Sequence, residues 1–347
     1  MTMKKLLDSL LETGLREGCF PGAAAACGRG DEVYAISCVG KIADGQDAVN
    51  TRTRYDMASL TKVLSPTMLA FQAIESGKLT LWDTLDMWFE GVPEDKKEIT
   101  VFRLMTHTAG FEPSFRLDKT VEKPEDALRA ILDSKLICKV GEAPNYSCMG
   151  YIVLGKLLEK LYGEGLDTLA RKRVFEPLSM YDTSYNPQGD NIAATEIDAA
   201  TGRAWQGVVH DENARFLRGV SANAGVFSNI EDMIRFSTML SKNGDGFLSP
   251  ALMKKATVNY TPGFDVHRGL GFHMAGTEYN YMGDLFPDCS YGHTGFTGTS
   301  VAVDPTTGFY VILLSNRVHP TRENLKLFHF RRRLHNALYA AFSKNNK

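Results

Sequence analysis

Short apolar runs near both ends of the chain, with helical periodicity between them, constrain the fold more than any other feature. Near the amino end, Ala23 to Cys27 and Val33 to Val39 flank Gly28-Arg29-Gly30-Asp31, which reads as a β-hairpin. Near the other end, Gly298 to Val303 and Phe309 to Leu314 flank Asp304-Pro305-Thr306-Thr307-Gly308, a turn signal between two antiparallel strands. Strand pairs at the two ends of a helical centre predict an α/β chain of the α+β type. One antiparallel sheet is assembled from both termini, helices cover its faces, and a mainly helical domain is inserted. The expected division is 1–75 with 286–347 for the sheet domain and 76–285 for the insertion, with the active site between the two parts.

The helical reading rests on apolar spacing and end signals. Met1 to Glu17 sets Leu6, Leu7, Leu10, Leu11 and Leu15 against Asp8, Glu12 and Arg16, an amphipathic helix. Ser59 to Ser76 is helical in pattern and stops at Gly77, a fitting C-cap. Further helices are expected at 101–106, 124–134, 149–161, 166–174, 230–241 and 250–257, with a long closing helix from Arg322 to Phe342.

Composition removes several function classes. The chain has 347 residues, 44% hydrophobic and 23% charged, enough to bury a large core. Lys and Arg number 39 against 41 Asp and Glu, a net charge of −2, and Arg331-Arg332-Arg333 is read as a solvated helix face; no nucleic-acid partner is expected. The six cysteines, Cys19, Cys27, Cys38, Cys138, Cys148 and Cys289, form no Cys-x-x-Cys pair, so free thiols in a reducing compartment are expected rather than a metal site or a disulfide framework. The amino-terminal helix lacks the unbroken apolar core of a signal peptide, and no stretch is suited to crossing a bilayer, so the expectation is cytoplasmic without membrane association.

The chemistry centres on Ser59-Leu60-Thr61-Lys62. At this spacing the hydroxyl and the amine share one helix face, so the amine can activate the hydroxyl as a nucleophile. Ser59 would sit in the first helical turn, where free backbone N–H groups favour a developing alkoxide and the Ser59 N–H can serve as one oxyanion donor. A lone Ser-x-x-Lys occurs by chance about once in a chain of this length. Its plain alternative is a serine that caps the helix and a lysine in solvent.

The context settles the choice. The stretches 55–62 (YDMASLTK), 99–110 (ITVFRLMTHTAG), 146–151 (YSCMGY) and 291–298 (YGHTGFTG) occur in an order that resembles the serine β-lactamase and penicillin-binding-protein superfamily, specifically the class C β-lactamase and family VIII carboxylesterase branch. The resemblance covers most of the chain. It implies that Ser59 attacks a carbonyl, that Lys62 and Tyr146 share the removal and return of its proton, and that an acyl-enzyme on Ser59 is then hydrolysed. A phenol beside a fixed ammonium has its anion favoured, so Tyr146 is expected to act as a base well below pH 10, titrating with Lys62 as a coupled pair. The second oxyanion donor would be the Phe296 N–H, placed by a strand beginning at His293, and Gly295 would leave room for substrate. No metal or cofactor is implied, and the partner is a small-molecule ester, amide or β-lactam.

Two departures bear on the substrate. Cys148 stands where many relatives acting on β-lactams or D-Ala-D-Ala peptides have Asn, and a thiol is expected neither to bind an acylamino group nor to contact the lysine well. His293, with Thr294 and Gly295, stands where those relatives usually have lysine, so the charge that meets a substrate carboxylate is only partial near neutrality. Arg317 could serve as a carboxylate partner or lie on the surface. His107 is read as bonded to local backbone, and His210-Asp211-Glu212-Asn213 as a loop lining the cleft rather than a metal site. Trp82 and Trp88 are assigned to the core by default; Trp205, Phe111 and Tyr281 belong to core or acyl pocket. The expected activity is therefore ester hydrolysis with β-lactams as a weaker substrate class. A β-lactamase, a D-amino-acid peptidase and a non-hydrolytic penicillin-binding protein stand as alternatives.

Overall fold

The computed structural model describes residues 1–278 and 280–345. Its strands are β1 (Gly22–Arg29), β2 (Glu32–Gly40), β3 (Tyr55–Asp56), β4 (Ser184–Tyr185), β5 (Val226–Ser228), β6 (His273–Met274), β7 (Tyr291–Thr294), β8 (Ser300–Val303) and β9 (Phe309–Ser315). Six of them form one antiparallel sheet in the order β2-β1-β9-β8-β7-β6, which joins the amino-terminal hairpin to the carboxyl-terminal strands along β1 and β9. The other three form a small sheet, β3-β5-β4, just ahead of Ser59.

Burial explains why β1 is so rich in alanine. Ala23, Ala25 and Cys27 face one core, shared with Phe309, Val311 and Leu313 of β9. Ala24 and Ala26 face the opposite core with Tyr310, Ile312 and Leu314. Side chains alternate across a strand, and with both faces covered these strands read as continuous apolar runs. The first core is closed by two terminal helices, α1 (Met3–Arg16) through Leu7 and Leu11, and a long carboxyl-terminal helix through Leu327, Phe330, Leu334 and Leu338. Each of these fully buried leucines contributes about 1.5–3 kcal/mol. The second, larger core carries α2 (Thr61–Leu64), α3 (Pro66–Glu75) and α4 (Cys148–Tyr162).

Several boundaries differ from expectation for local reasons. The single helix expected from Ser59 to Ser76 is a 3₁₀ turn at Ala58–Leu60, then α2 and α3, broken at Ser65 (φ −124°, ψ −82°) because Pro66 offers no N–H and its ring crowds the preceding turn. The closing helix begins at Lys326, not Arg322, because the Asn324 side-chain Oδ1 accepts from the Lys326 N–H (3.2 Å) and caps it there. The strand placed at His293 begins two residues earlier at Tyr291 and ends at Thr294. Trp82 lies in a turn, 64% exposed and stacked on Phe102, so it is not core; Trp88 is half-buried. Arg331 is buried, while Arg332 and Arg333 pair with Asp284 and Glu17, so only part of the basic triplet is a solvated face.

Candidate active site

A stapled loop delivers Ser59. Ala58 holds φ +46°, a left-handed conformation that costs a residue with a Cβ roughly 1–3 kcal/mol and survives where surroundings enforce it. Here Asp56 is the enforcer: one carboxylate oxygen accepts the Ala58 N–H (2.8 Å) and the other the His210 N–H (2.7 Å). From the far segment, Thr297 donates to the Asp56 carbonyl (2.6 Å) and Thr299 to the Met57 carbonyl (3.1 Å). Gly295 lies so close to this loop that a Cβ there would sit 2.3 Å from the Met57 oxygen and 2.1 Å from Thr299 Oγ1. The space at Gly295 is thus filled by protein and not left for substrate.

Lys62 is fully buried, and its three N–H groups find three acceptors: Ser59 Oγ (3.1 Å), Cys148 Sγ (3.5 Å) and the Asn223 carbonyl (2.9 Å). The contact with Cys148 corrects the expectation that a thiol would not reach the lysine. Burial disfavours the ammonium, but Cys148 and Tyr146 outweigh that, and the Lys62 pKa is raised. Asn223, fully buried and held by Ser221 and Asp211, escaped sequence reading because only its main-chain oxygen is used on Lys62.

Tyr146 precedes α4, whose N-cap Ser147 accepts from the Gly150 N–H (3.1 Å). His107 fixes this segment from a distant part of the chain. Its carbonyl accepts the Asn145 N–H (2.7 Å), its Nδ1 accepts the Ser147 N–H (3.0 Å), and its ring lies 4.5 Å from that of Tyr146. The expectation of backbone bonding for His107 holds, although the backbone is not local. Lys62 Nζ is 4.8 Å from the Tyr146 ring centre. The phenol oxygen is buried with no hydrogen-bond partner among the described residues, and burial raises its pKa against the pull of Lys62, so the base-competent form is less accessible than a phenol beside an ammonium suggested.

Three imidazoles surround that phenol, since His273 and His293 lie 6.0 and 5.9 Å from its ring and 4.4 Å from each other. His293 Nδ1 is 2.8 Å from the Thr294 carbonyl, which can only accept, so the proton sits on Nδ1. Burial first, then Lys62 and Arg268, drive the His293 pKa well below its ordinary value, so the ring is neutral rather than partly charged.

Thr294, the last residue of β7, is partly exposed, and just beyond it Phe296 is 48% exposed, at the rim of the loop that meets Met57. Phe296 stacks on His210 (5.7 Å), which is held by Glu196 (2.8 Å). Burial opposes the Glu196 carboxylate, but Arg322 holds its pKa down at about 2. Arg317 is fully buried, not a surface residue: Nη1 donates to the Arg322 and Asn324 carbonyls, and its guanidinium lies 4.7 Å from the Phe296 ring. Among the described residues no group of His, Cys, Asp and Glu is arranged to hold a metal ion. Trp205 is half-buried under Arg215, and Phe111 lies in the core.

The sheet, its flanking helices and this convergence of distant segments define a fold of the β-lactamase and transpeptidase type. The chain belongs to the beta-lactamase family, whose family model matches residues 7–336. It is 29% identical to an N-acetylmuramyl-L-alanine amidase of Bacillus subtilis (strain 168), over 91% of this chain and 82% of that protein. It is 31% identical to a putative D-alanyl-D-alanine carboxypeptidase of Escherichia coli (strain K12), over 78% of this chain and 70% of that protein. Among solved structures, a class C beta lactamase from Rhodobacter sphaeroides superimposes with a TM-score of 0.79 at 17% identity, over 98% of this chain and 99% of that chain. EstCE1, a hydrolase with promiscuous acyltransferase activity, does so with a TM-score of 0.78 at 22% identity, over 96% and 98%. The protein is accordingly a hydrolase of the serine β-lactamase and penicillin-binding-protein superfamily. No helix among the described residues is long and apolar enough to cross a membrane.

Proposed function

We propose that the protein is a serine hydrolase that forms an acyl-enzyme on Ser59 and acts chiefly on esters, with β-lactams as a weaker substrate class. The observation that carries this reading is the bond from Lys62 Nζ to Ser59 Oγ, 3.1 Å, with Tyr146 stacked beside the same ammonium. In the active form the Lys62–Tyr146 pair holds one proton fewer than at rest and takes the Ser59 proton as oxygen attacks the carbonyl. The Ser59 and Phe296 N–H groups steady the oxyanion, the ester C–O bond breaks, and the pair returns the proton to the departing alcohol. Water then cleaves the acyl-enzyme by the same route in reverse.

The neutral His293 supports esters over carboxylate-bearing peptides, because the strand offers no fixed charge to a terminal carboxylate. A peptidase reading keeps one specific support, the likeness to the putative carboxypeptidase over 78% of this chain. The free thiols of all six cysteines support a reducing compartment. The deciding experiment runs aryl esters, D-amino-acid amides and a chromogenic cephalosporin on the wild type and Ser59→Ala. Ester turnover should dominate and vanish in the variant with the fold intact. Turnover that survives Ser59→Ala removes Ser59 from the mechanism, and a lasting adduct without product release identifies a penicillin-binding protein instead.

A further inference from the structure

A neutral His293 leaves β7 without a fixed charge at the site, yet a second cation besides Lys62 stands beside Tyr146. The Arg268 guanidinium carbon lies 5.1 Å from the centre of the Tyr146 ring. The residue is 5% exposed, and its Nε and Nη1 are buried with no hydrogen-bond partner among the described residues. Two unpartnered nitrogens on a buried guanidinium are costly and call for a role beyond packing.

The backbone aims it. The Arg268 N–H donates to Thr261 Oγ1 (3.0 Å), its carbonyl accepts the Tyr260 N–H (2.8 Å), and it faces His273 across an antiparallel bridge. Directly opposed residues share one face of a ladder, so Arg268 and His273 present their side chains together, on the side where Tyr146 lies. The titratable groups around Tyr146 come from every neighbouring element. They are Lys62 from α2, Cys148 and Tyr151 from α4, His107, His273 from β6 and His293 from β7, with Tyr281 and Tyr151 facing Arg268 itself and Asp211 acting on Lys62 through Asn223. Burial holds the imidazoles of His107, His273 and His293 neutral, so Lys62 and Arg268 are the cations of the resting set; burial lowers the Arg268 pKa to about 10, which still leaves the guanidinium charged near neutrality.

We propose that Arg268 is a positioning residue that acts through Tyr146, its charge favouring the form of the Lys62–Tyr146 pair that has given up a proton. The role rests on the acyl-enzyme reading above. Whether the missing proton comes from the phenol or the ammonium, a nearby positive charge eases its departure, so the sign of the effect does not depend on the microscopic assignment.

The test compares wild type, Arg268→Gln and Arg268→Lys by two readouts. One is the near-ultraviolet titration of the Tyr146 phenol, isolated by subtracting the same protein with Tyr146→Phe. The other is the pH profile of kcat/KM on an aryl ester. For charges about 5 Å apart in a partly screened site, removing the cation should move the rising limb and the phenol titration alkaline by roughly one pH unit or more. Below the limb kcat/KM falls about tenfold, the curves converge above it, and Arg268→Lys recovers most of the shift. Arg268→Met, which keeps much of the aliphatic volume, serves if the glutamine variant does not fold. A limb and titration that stay in place overturn the proposal, as does a rise in KM with the limb unmoved, which would make Arg268 a substrate contact. If the wild type turns over no ester at all, the functional reading fails, while the phenol titration still decides the role of Arg268.

Discussion

Acidification from pH 8 to pH 5.5 should cost this protein a large part of its stability, because four imidazoles are buried in neutral form. His107, His273 and His293 are driven well below the ordinary histidine range, first by burial and then by neighbouring cations; His335 is pushed to about 3, chiefly by burial. The unfolded chain takes up protons at about 6.5 while the folded chain does not, so the stabilisation is present above that value and lost as pH falls below it. One unit below the unfolded pKa, each such histidine contributes about 1.4 kcal/mol of loss, and the four together roughly 5–6 kcal/mol. Burial raises the Asp56 pKa, which acts in the opposite direction and offsets part of this. Unfolded carboxylates remain ionised at pH 5.5, which keeps acid denaturation of the ordinary kind out of the window. The assay is urea unfolding at matched ionic strength, with an unchanged m-value as the check that the same transition is measured. A loss below about 1.5 kcal/mol, what one histidine alone would give, refutes the claim that the rings are held neutral together.

Gly295→Ala should lower kcat/KM on an aryl ester by roughly 10²-fold, because a Cβ 2.3 Å from the Met57 carbonyl forces the Ser59 loop and the Phe296 N–H apart. Activity within threefold of wild type, a margin of about 0.7 kcal/mol, would show that this approach does not set the site. The wild-type profile itself should climb from neutrality into the alkaline range, since burial raises the Tyr146 pKa and the surrounding groups raise that of Lys62. A flat kcat/KM between neutrality and pH ~9 contradicts that ordering. Cys148→Asn gives Lys62 a stronger acceptor and adds an amide donor at the cleft, and the ratio of cephalosporin to ester turnover should rise about tenfold. An unchanged ratio means the thiol is not what limits β-lactam turnover.

What was legible in the sequence follows the reach of each interaction. The hairpins, the helical spacing and the Ser59–Lys62 step of three residues depend on neighbours along the chain, so their residue types declare them. Where a local signal was misjudged, the competing cause was also local, as at Pro66 and Asn324. The charge state of the site was not legible. His107 lies far from Tyr146 in the chain, and Arg268, placed by a short turn opposite His273, belongs to no motif. Arg317, read as a carboxylate partner or a surface residue, and Arg331, read as part of a solvated face, are both buried by the fold.

The sequence by itself determined which groups can do chemistry and which elements carry them, because propensity, periodicity and motif order are properties of the chain. Only the tertiary structure decided that His293 is neutral, that Cys148 reaches Lys62 and that a guanidinium rather than an imidazole stands as the second cation. Those outcomes depend on distance and on exclusion of water, and folding sets both among residues far apart in the chain.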